Sequence, residues 1–538
     1  MSSQNQQKSK HDLGGAAAIE LWQKGKYEWN TWITNNPGRT VDFSGCDFSN
    51  VGDPSEDISF SDYYFGTGDV SFKGVKFGDR DVDFSGTNFG DGEINFEGAK
   101  FGDGQCNFER TIFGTGEVNF SKTCFGNGRT NFSYANFGTG DLIFTEASFG
   151  KGEFLFIEAN FRQSSTYFNA LKCEAGLVTF VSAKFSYASF AKTDFSKSDI
   201  AFFDAEFVDG AADFLETQFG NGNVNFNNAK FINSHILFYR SHFGDCAINL
   251  SRCQFEDAEA LFIETNFGDC TLRLEQAKFT ALVFKPSSFK RLAINGQNLS
   301  ARKQVEILLP HNAGAVGGFD LRGATFEGPL YLSGTMETIP DLRATNSSHH
   351  VELSGLIVKL NRERKLGSLL GKLSATATNP EDAARLRRLK EIAETNKDHQ
   401  AALRFSADEN RARRWLETPW LSSLLDLVFS GFSNYGQSIL RPFCWLIFFF
   451  CSFTSLYRLN STLRPFESLP AWLHSALLSA SNSLPFLPQS RSIRDGALKL
   501  LYSSPTNASI DILVTLQGAL SFIFLFLIGL GLRNRFRL

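Results

Sequence analysis

From Phe43 onward a large apolar residue returns at alternating steps of five and seven positions. The run Phe65, Phe72, Phe77, Phe84, Phe89, Phe96, Phe101, Phe108, Phe113, Phe120, Phe125, Phe132, Phe137 continues through Phe144, Phe149, Phe156, Phe161 and Phe168 without a slip. Cys173 takes the next node, Leu250 and Leu274 stand in at later ones, and Ser55 is a weak node. Two stretches step by five alone: Phe180, Phe185, Phe190, Phe195, and later Phe279, Phe284, Phe289, Ile294, Leu299. No amphipathic helix has this spacing, and neither does a simple alternating strand. A five-residue step suits a coil of short strands and corners. The residue two before each node supports this, because positions i and i−2 of a strand share a face. It is small before the five-step Phe (Ala99, Thr111, Thr123, Ala135, Ala147, Ala159) and often β-branched before the seven-step Phe (Val70, Val82, Ile94, Val118). Both sets are expected to point inward.

The pattern changes at both ends. Ala16–Thr34 reads as an amphipathic helix ended by Asn35-Asn36-Pro37-Gly38, with Trp22, Trp29 and Trp32 placed to cover the first coil. Beyond residue 300 the lattice degrades, with a partial return at Leu321, Phe326 and Leu332, so a looser coil or cap is expected to end near Leu360. Asn379 followed by Pro380-Glu381-Asp382 is a helix N-terminus, with an asparagine cap, proline in the first turn and acids facing the dipole. A second helix runs to Thr418-Pro419 and makes a helical hairpin with the first. Ile439–Tyr457 and Ile510–Leu532 are long and apolar enough to cross a bilayer. Between them Pro470–Pro485 is an apolar, small-residue segment of two or three helical turns.

Composition sharpens this reading. The 538 residues contain 57 Phe and 46 Gly against 2 Met, a skew that marks one motif copied many times. The recurrent A-x-F units (GAKF, YANF, EANF) resemble the pentapeptide-repeat family, whose units carry a central Leu or Phe and a small residue two before it. The lead-in W-x-x-G-x-x-x-W-N-x-W from Trp22 to Trp32 is also similar to that of many such proteins. The resemblance covers roughly residues 43–300 and implies a mainly β fold, a right-handed quadrilateral β-helix, in a bacterial protein. Here F-G-x-G inserts two residues at alternate corners, so a turn takes 24 residues instead of 20. About eleven turns at ~4.8 Å each would make a rod on the order of 50 Å long. Its core would hold Phe77, Phe89, Phe101, Phe113, Phe125, Phe137, Phe149 and Phe161. The expected organisation is a tail and capping helix (1–42), the solenoid (43–300), irregular terminal coils (301–360), a helical linker (361–438) and a membrane module with two transmembrane helices and a re-entrant helix (439–538).

The net charge of −4 conceals −14 over residues 41–300 and +10 over the rest. An acidic body joined to a basic, apolar end favours membrane attachment over nucleic-acid binding. Arg411, Arg413, Arg414 and Arg441 precede the first span and Arg533, Arg535 and Arg537 follow the second. Their density favours both termini inside, and with the bacterial origin that the resemblance implies, the solenoid is expected on the cytoplasmic side of a bacterial inner membrane. The nine Cys show no disulfide spacing. Cys46, Cys106, Cys173 and Cys253 fall on inward positions as small apolar fillers, and the polar start lacks a cleavable signal.

Little in the chain points to chemistry. The G-x-G corners lack the Lys-Ser/Thr of a phosphate loop, and a corner needing φ > 0 would account for them. Asn95 over Asn119 and Asn107 over Asn131 would form amide ladders. Eight His offer no metal spacing, and neither catalysis nor a cofactor is expected. Span, short helix, span is the layout of a two-helix potassium-channel pore. YGQSILRPF and LGLRNRFRL resemble pentapeptide-repeat proteins with such a tail. A potassium filter needs backbone carbonyls of the T-V-G-Y-G kind, whereas Ser481-Asn482-Ser483-Leu484-Pro485-Phe486 stands here, leaving Asn482 and Ser483 as candidate pore-lining residues. The leading expectation is a non-enzymatic membrane protein whose solenoid binds a protein partner. Its C-terminal module would form a homo-oligomeric pore, tetrameric by the channel layout, of the kind a membrane-permeabilising effector carries. The alternatives are a membrane-tethered scaffold without conduction and a DNA mimic that binds gyrase, the latter opposed by the spans and the interspersed Lys and Arg.

Overall fold

The computed structural model describes residues 12–174, 176–311, 314–363, 375–462, 469–484, 486–502 and 507–536. The chain divides into two compact units, Met1–Lys359 and Leu360–Leu538. The first is a parallel β-solenoid of about 14 turns. One side can be followed through Val41, Val70, Ile94, Val118 and Leu142, each paired in parallel with the next. The same side continues past the degraded lattice, through Leu282, Val305, Leu330 and Val351, so strand pairing outlasts the phenylalanines.

Four columns of stacked rings fill the coil. Phe77, Phe101, Phe125 and Phe149 stand one above another at 4.5, 5.1 and 4.6 Å between centroids, within 14° of parallel. Phe89, Phe113, Phe137 and Phe161 form a second column at 5.3, 4.6 and 4.8 Å. Rings of neighbouring columns meet edge to face, as Phe84 and Phe96 do at 5.6 Å and 90°. Both arrangements suit the aromatic quadrupole. All eight expected core rings are buried, and each removes an apolar surface worth roughly 1.5–3 kcal/mol from water. Hydroxyls at the small inward position are satisfied without breaking the core. Thr87, Thr111 and Thr123 donate to the carbonyls of Phe60, Phe84 and Phe96 in the preceding coil at 2.7–2.9 Å.

Three details of the lattice differ from the sequence pattern. Ser55 is not a node: it lies on an exposed excursion, bonded to Asp53, while the coil passes directly from Phe48 to Phe60, whose rings are 5.9 Å apart. Ile294 and Leu299 are buried, but at the inward position two before the node. Leu272 pairs with Ile294 and Phe279 with Ala301, which leaves Gly296 and Ala301 on the nodes themselves. Large and small residues have exchanged places, and a Cβ on Gly296 would meet Leu321 at 2.8 Å and Leu299 at 3.5 Å. Cys106, Cys173 and Cys253 are buried as expected, but Cys46 is only half-buried.

The N-terminal cap is two helices rather than one, α1 (Ala16–Gln23) and α2 (Lys26–Asn35), separated at Gly25, whose φ is 92°. Trp29 is fully buried, stacked on Phe43 at 5.8 Å, with its indole N–H donating to the Tyr64 carbonyl at 3.0 Å. Trp22 covers Phe48 and Phe60 at 5.4 and 5.5 Å. The break turns Ile33 inward and leaves Trp32 part-exposed, so Trp32 is not the third cover.

The second unit is helical: α3 (Asp382–Thr395), α4 (His399–Arg413), α5 (Trp420–Ser433), α6 (Leu440–Leu459), α7 (Leu469–Ser483), α8 (Ser490–Leu501) and α9 (Ala508–Phe536). The hairpin of α3 and α4 closes on buried Glu409, which accepts from Arg387 at 3.0 Å and pairs with Lys390 at 3.5 Å. Asp398 caps α4 by accepting from the Ala401 N–H at 3.0 Å. α6 and α9 are long and apolar enough to cross a membrane, and little of either is buried inside the unit.

Candidate functional site

The positive φ expected of the glycine-rich corners is found at Gly66, Gly78, Gly90 and Gly220, with φ of 82°, 74°, 73° and 54°, but not at the corners between Gly102 and Gly152. Gly102, Gly104, Gly126 and Gly128 do not have the positive φ of a tight corner. They are glycines because coils approach too closely there: a Cβ on Gly126 would lie 2.0 Å from the Gly102 carbonyl oxygen, and one on Gly128 1.9 Å from that of Gly104. The residue between them serves the next coil. Asp79 accepts from the Asp103 N–H, Asp103 from the Asn127 N–H, and Asn127 from the Lys151 N–H, at 3.0–3.2 Å. These bonds, first the one from the Asn127 backbone, hold the Asp103 carboxyl below its usual range. The left-handed conformation falls instead on Arg110, Lys122, Tyr134, Glu146 and Glu158, two residues past a seven-step Phe, with φ of 54–61°.

Of the two expected amide ladders, the Asn107–Asn131 column forms: Asn131 donates to Asn107 at 3.2 Å, and Asn107 to Asp83 at 3.2 Å. Asn95 and Asn119 are in register but accept from the backbone N–H groups of Glu97 and Ser121 instead.

The helical unit gathers its polar groups at two places. At the first, the basic cluster is engaged within the protein. Arg411 pairs with Asp408 at 2.6 Å and Arg413 with Glu417 at 3.0 Å. Arg414 is buried, donates to Asp426 of α5 and to the Tyr435 hydroxyl, both at 2.6 Å, and that hydroxyl donates to Asp426 at 2.9 Å. Burial pushes the Tyr435 phenol above its ordinary value. Asn434, Tyr435 and Gly436 are three consecutive left-handed residues, with φ of 51°, 56° and 74°. Asn534 at the end of α9 donates to the Gly436 carbonyl at 3.1 Å, and Gln437 donates to the Leu403 carbonyl of α4 at 2.7 Å. The stretch YGQS is thus the junction that ties α4 and α5 to α6 and α9. Arg441 at the start of α6 and Arg533 and Arg535 at the end of α9 are exposed, and Arg537 lies outside the described residues.

The second place is between α6 and α9. Asn482 and Ser483 sit in the last turn of α7 and are both buried, turned onto α6 and α9 of the same chain. Gln517 of α9 is the centre. Its amide N–H groups donate to the Ser479 carbonyl at 3.0 Å, the Ser479 hydroxyl at 2.7 Å and the Ser483 hydroxyl at 3.3 Å. Its carbonyl accepts from the Tyr457 hydroxyl at 2.8 Å and from Asn482 at 3.4 Å, and Asn482 also donates to Tyr457 at 3.2 Å. Phe453, Tyr457, Leu478, Leu501, Tyr502 and Ile510 pack around this network. Tyr457 and Gln517 escaped the sequence reading, although a Gln inside an apolar stretch of span length is a signal in itself. The amphipathic helices α5 and α8 escaped it as well. No protein-family model matches the chain, and no curated protein matches it.

Proposed function

We propose that the chain is a non-enzymatic, membrane-anchored protein of a bacterial inner membrane. Its solenoid is a right-handed quadrilateral coil of the pentapeptide-repeat type, lies on the cytoplasmic side and binds a protein partner. Its helical unit assembles as a homo-oligomer, a tetramer by the channel layout, around a channel-like pore. One observation carries this reading. α6, a short helix α7 that ends on a buried polar network, and α9 form one packed module whose two long helices keep most of their apolar surface outside the protomer. That surface needs lipid or further subunits to cover it. Asn482 and Ser483 would act at the pore by fixing the end of α7 against Gln517.

The mutual bonding of that network favours a second reading, a membrane-tethered scaffold without conduction, since Tyr457, Ser479, Asn482, Ser483 and Gln517 bond to one another within a single chain. DNA mimicry is weakened because the solenoid's acids are interrupted by cations one coil away, as in Lys73–Glu97, Lys230–Glu206 and Arg240–Glu264. Mass measurement in detergent and conductance in planar bilayers separate these readings. A tetramer that conducts, with conductance altered by Asn482→Ala and Ser483→Ala, is the expected result. A monomer sinks the pore, and an oligomer that passes no current leaves the scaffold.

A further inference from the structure

The amphipathic helix α5 is built inside out. Its polar side faces the protein: Ser423 and Ser433 are buried, and Asp426 holds Arg414 and Tyr435. Its apolar side faces outward, with Trp420 72 % and Leu425 63 % exposed and Leu421, Leu424 and Val428 beside them. A helix on a protein in water shows the opposite arrangement. The inversion is stable only where the surroundings of the outer face are less polar than the protein beneath it.

The position of α5 says what those surroundings are. At 14 residues it is about 21 Å long, too short for the roughly 30 Å of a bilayer core. Its Phe432 packs on Trp445 near the start of α6 and on Phe524 just past the middle of α9, at 5.1 and 5.2 Å. The start of α6 and the end of α9 carry Arg441, Arg533 and Arg535, none of which pairs with a carboxylate among the described residues. Arg441 donates to the Ser430 carbonyl in the last turn of α5 at 3.3 Å. It lies at the end of an apolar face of α6 formed by Leu440, Cys444, Trp445 and Phe448. An apolar helix face with a guanidinium at its end is complementary to a phospholipid, with acyl chain along the face and phosphate at the arginine. α6 likewise exposes Phe443, Ile447 and Phe448.

We propose that α5 is a membrane-docking helix, seated at the headgroup boundary of the leaflet that meets the basic ends of the spans, with Arg441 at the level of the phosphates. This rests on the reading of α6 and α9 as spans, and its test is chosen to fail separately. The full chain is reconstituted into phosphatidylcholine vesicles brominated either near the carboxyl end or near the terminus of the acyl chain. Tryptophan emission of the parent is compared with that of Trp420→Phe and Trp445→Phe, so that each difference isolates one indole. The Trp420 component should fall about twofold or more with bromine near the carboxyl end, and less with bromine at the terminus, as suits an interfacial helix. Trp445 quenched while Trp420 is not, with iodide in the buffer reaching Trp420, overturns the docking helix and leaves the spans. Trp420 shielded from both bromine and iodide overturns it in favour of a covering protein surface. If neither indole is quenched, the membrane reading fails and this inference with it.

Discussion

A residue in this solenoid is chosen by what lies one coil away. Gly126 shows this directly, since its missing Cβ is the space taken by the Gly102 carbonyl. Gly126→Ala is therefore expected to push two coils apart and cost about 2 kcal/mol or more, in the range of core overpacking. Chemical denaturation of the chain, followed by the β signal, would register it. Glu146 presents the converse case. It is exposed and left-handed, with φ of 60°, a conformation that costs a residue with a side chain about 1 kcal/mol. Glu146→Gly should be neutral or stabilising by up to that amount in the same measurement, after the entropy glycine loses on folding. If both substitutions behaved alike, the distinction between crowding and backbone conformation would be wrong. The inward positions obey the same rule of vertical neighbours. Ile294 with Gly296 conserves the volume that a Phe node and a small partner supply elsewhere, which is why a lattice of single large residues misplaces the node by two.

At the scale of elements, the legible parts were those whose signal repeats or is long. The phenylalanine columns repeat at every coil, and the apolar runs of α6 and α9 are span-length, so both could be read from spacing and hydropathy alone. What stayed hidden depends on partners distant in sequence. α5 has an apolar stripe that marks a helix, but nothing local says that Asp426 must face inward to meet Arg414. The split between α1 and α2 likewise turns on one left-handed glycine within a continuous amphipathic pattern. The Arg414–Asp426–Tyr435 triad gives the junction a sharp test. Asp426→Ala leaves a buried guanidinium with a phenol and the main-chain carbonyl at position 426 but no carboxylate, and losing one partner of a buried pair typically costs about 3–5 kcal/mol. We expect the lower part of that range, because Tyr435 still accepts from Arg414. The expected outcome is lower helical stability in detergent, with cleavage by added protease appearing around residues 414–437. Asp426→Asn, which keeps an acceptor, should recover part of the loss. An Asp426→Ala protein as stable as the parent would mean that the left-handed turn at Asn434–Gly436 holds without the triad.

At the scale of the whole molecule, the two units draw stability from different sources and should respond to different perturbations. The solenoid rests on ring columns and on carboxylates whose pKa values lie below the ordinary range. Asp103 is held down first by the Asn127 backbone N–H, Glu97 first by its bond from Lys73, and Glu264 first by its bond from Arg240. A carboxyl with a lowered folded-state pKa contributes stability above its unfolded value, near 4, and loses that contribution as pH falls through the folded value. Asp213 runs the other way, because burial raises its carboxyl and its charge opposes folding at neutral pH. Asp103 and Glu264 are exposed and Glu97 is half-buried, so each contributes little alone. Their number along the solenoid makes the sum visible. The melting temperature of the β signal should therefore be flat between about pH 6 and 9 and fall as pH drops below about 4. Asp213→Asn should raise the neutral-pH plateau without shifting the onset of the acid fall. The α6–α7–α9 module is expected to follow a separate course, because the network around Gln517 is made of uncharged side chains and is set by apolar surroundings. Replacing detergent with a lipid bilayer should strengthen the helical unit and leave the acid profile of the solenoid unchanged. A single transition that moves as one with both pH and lipid would show that the two units fold as one.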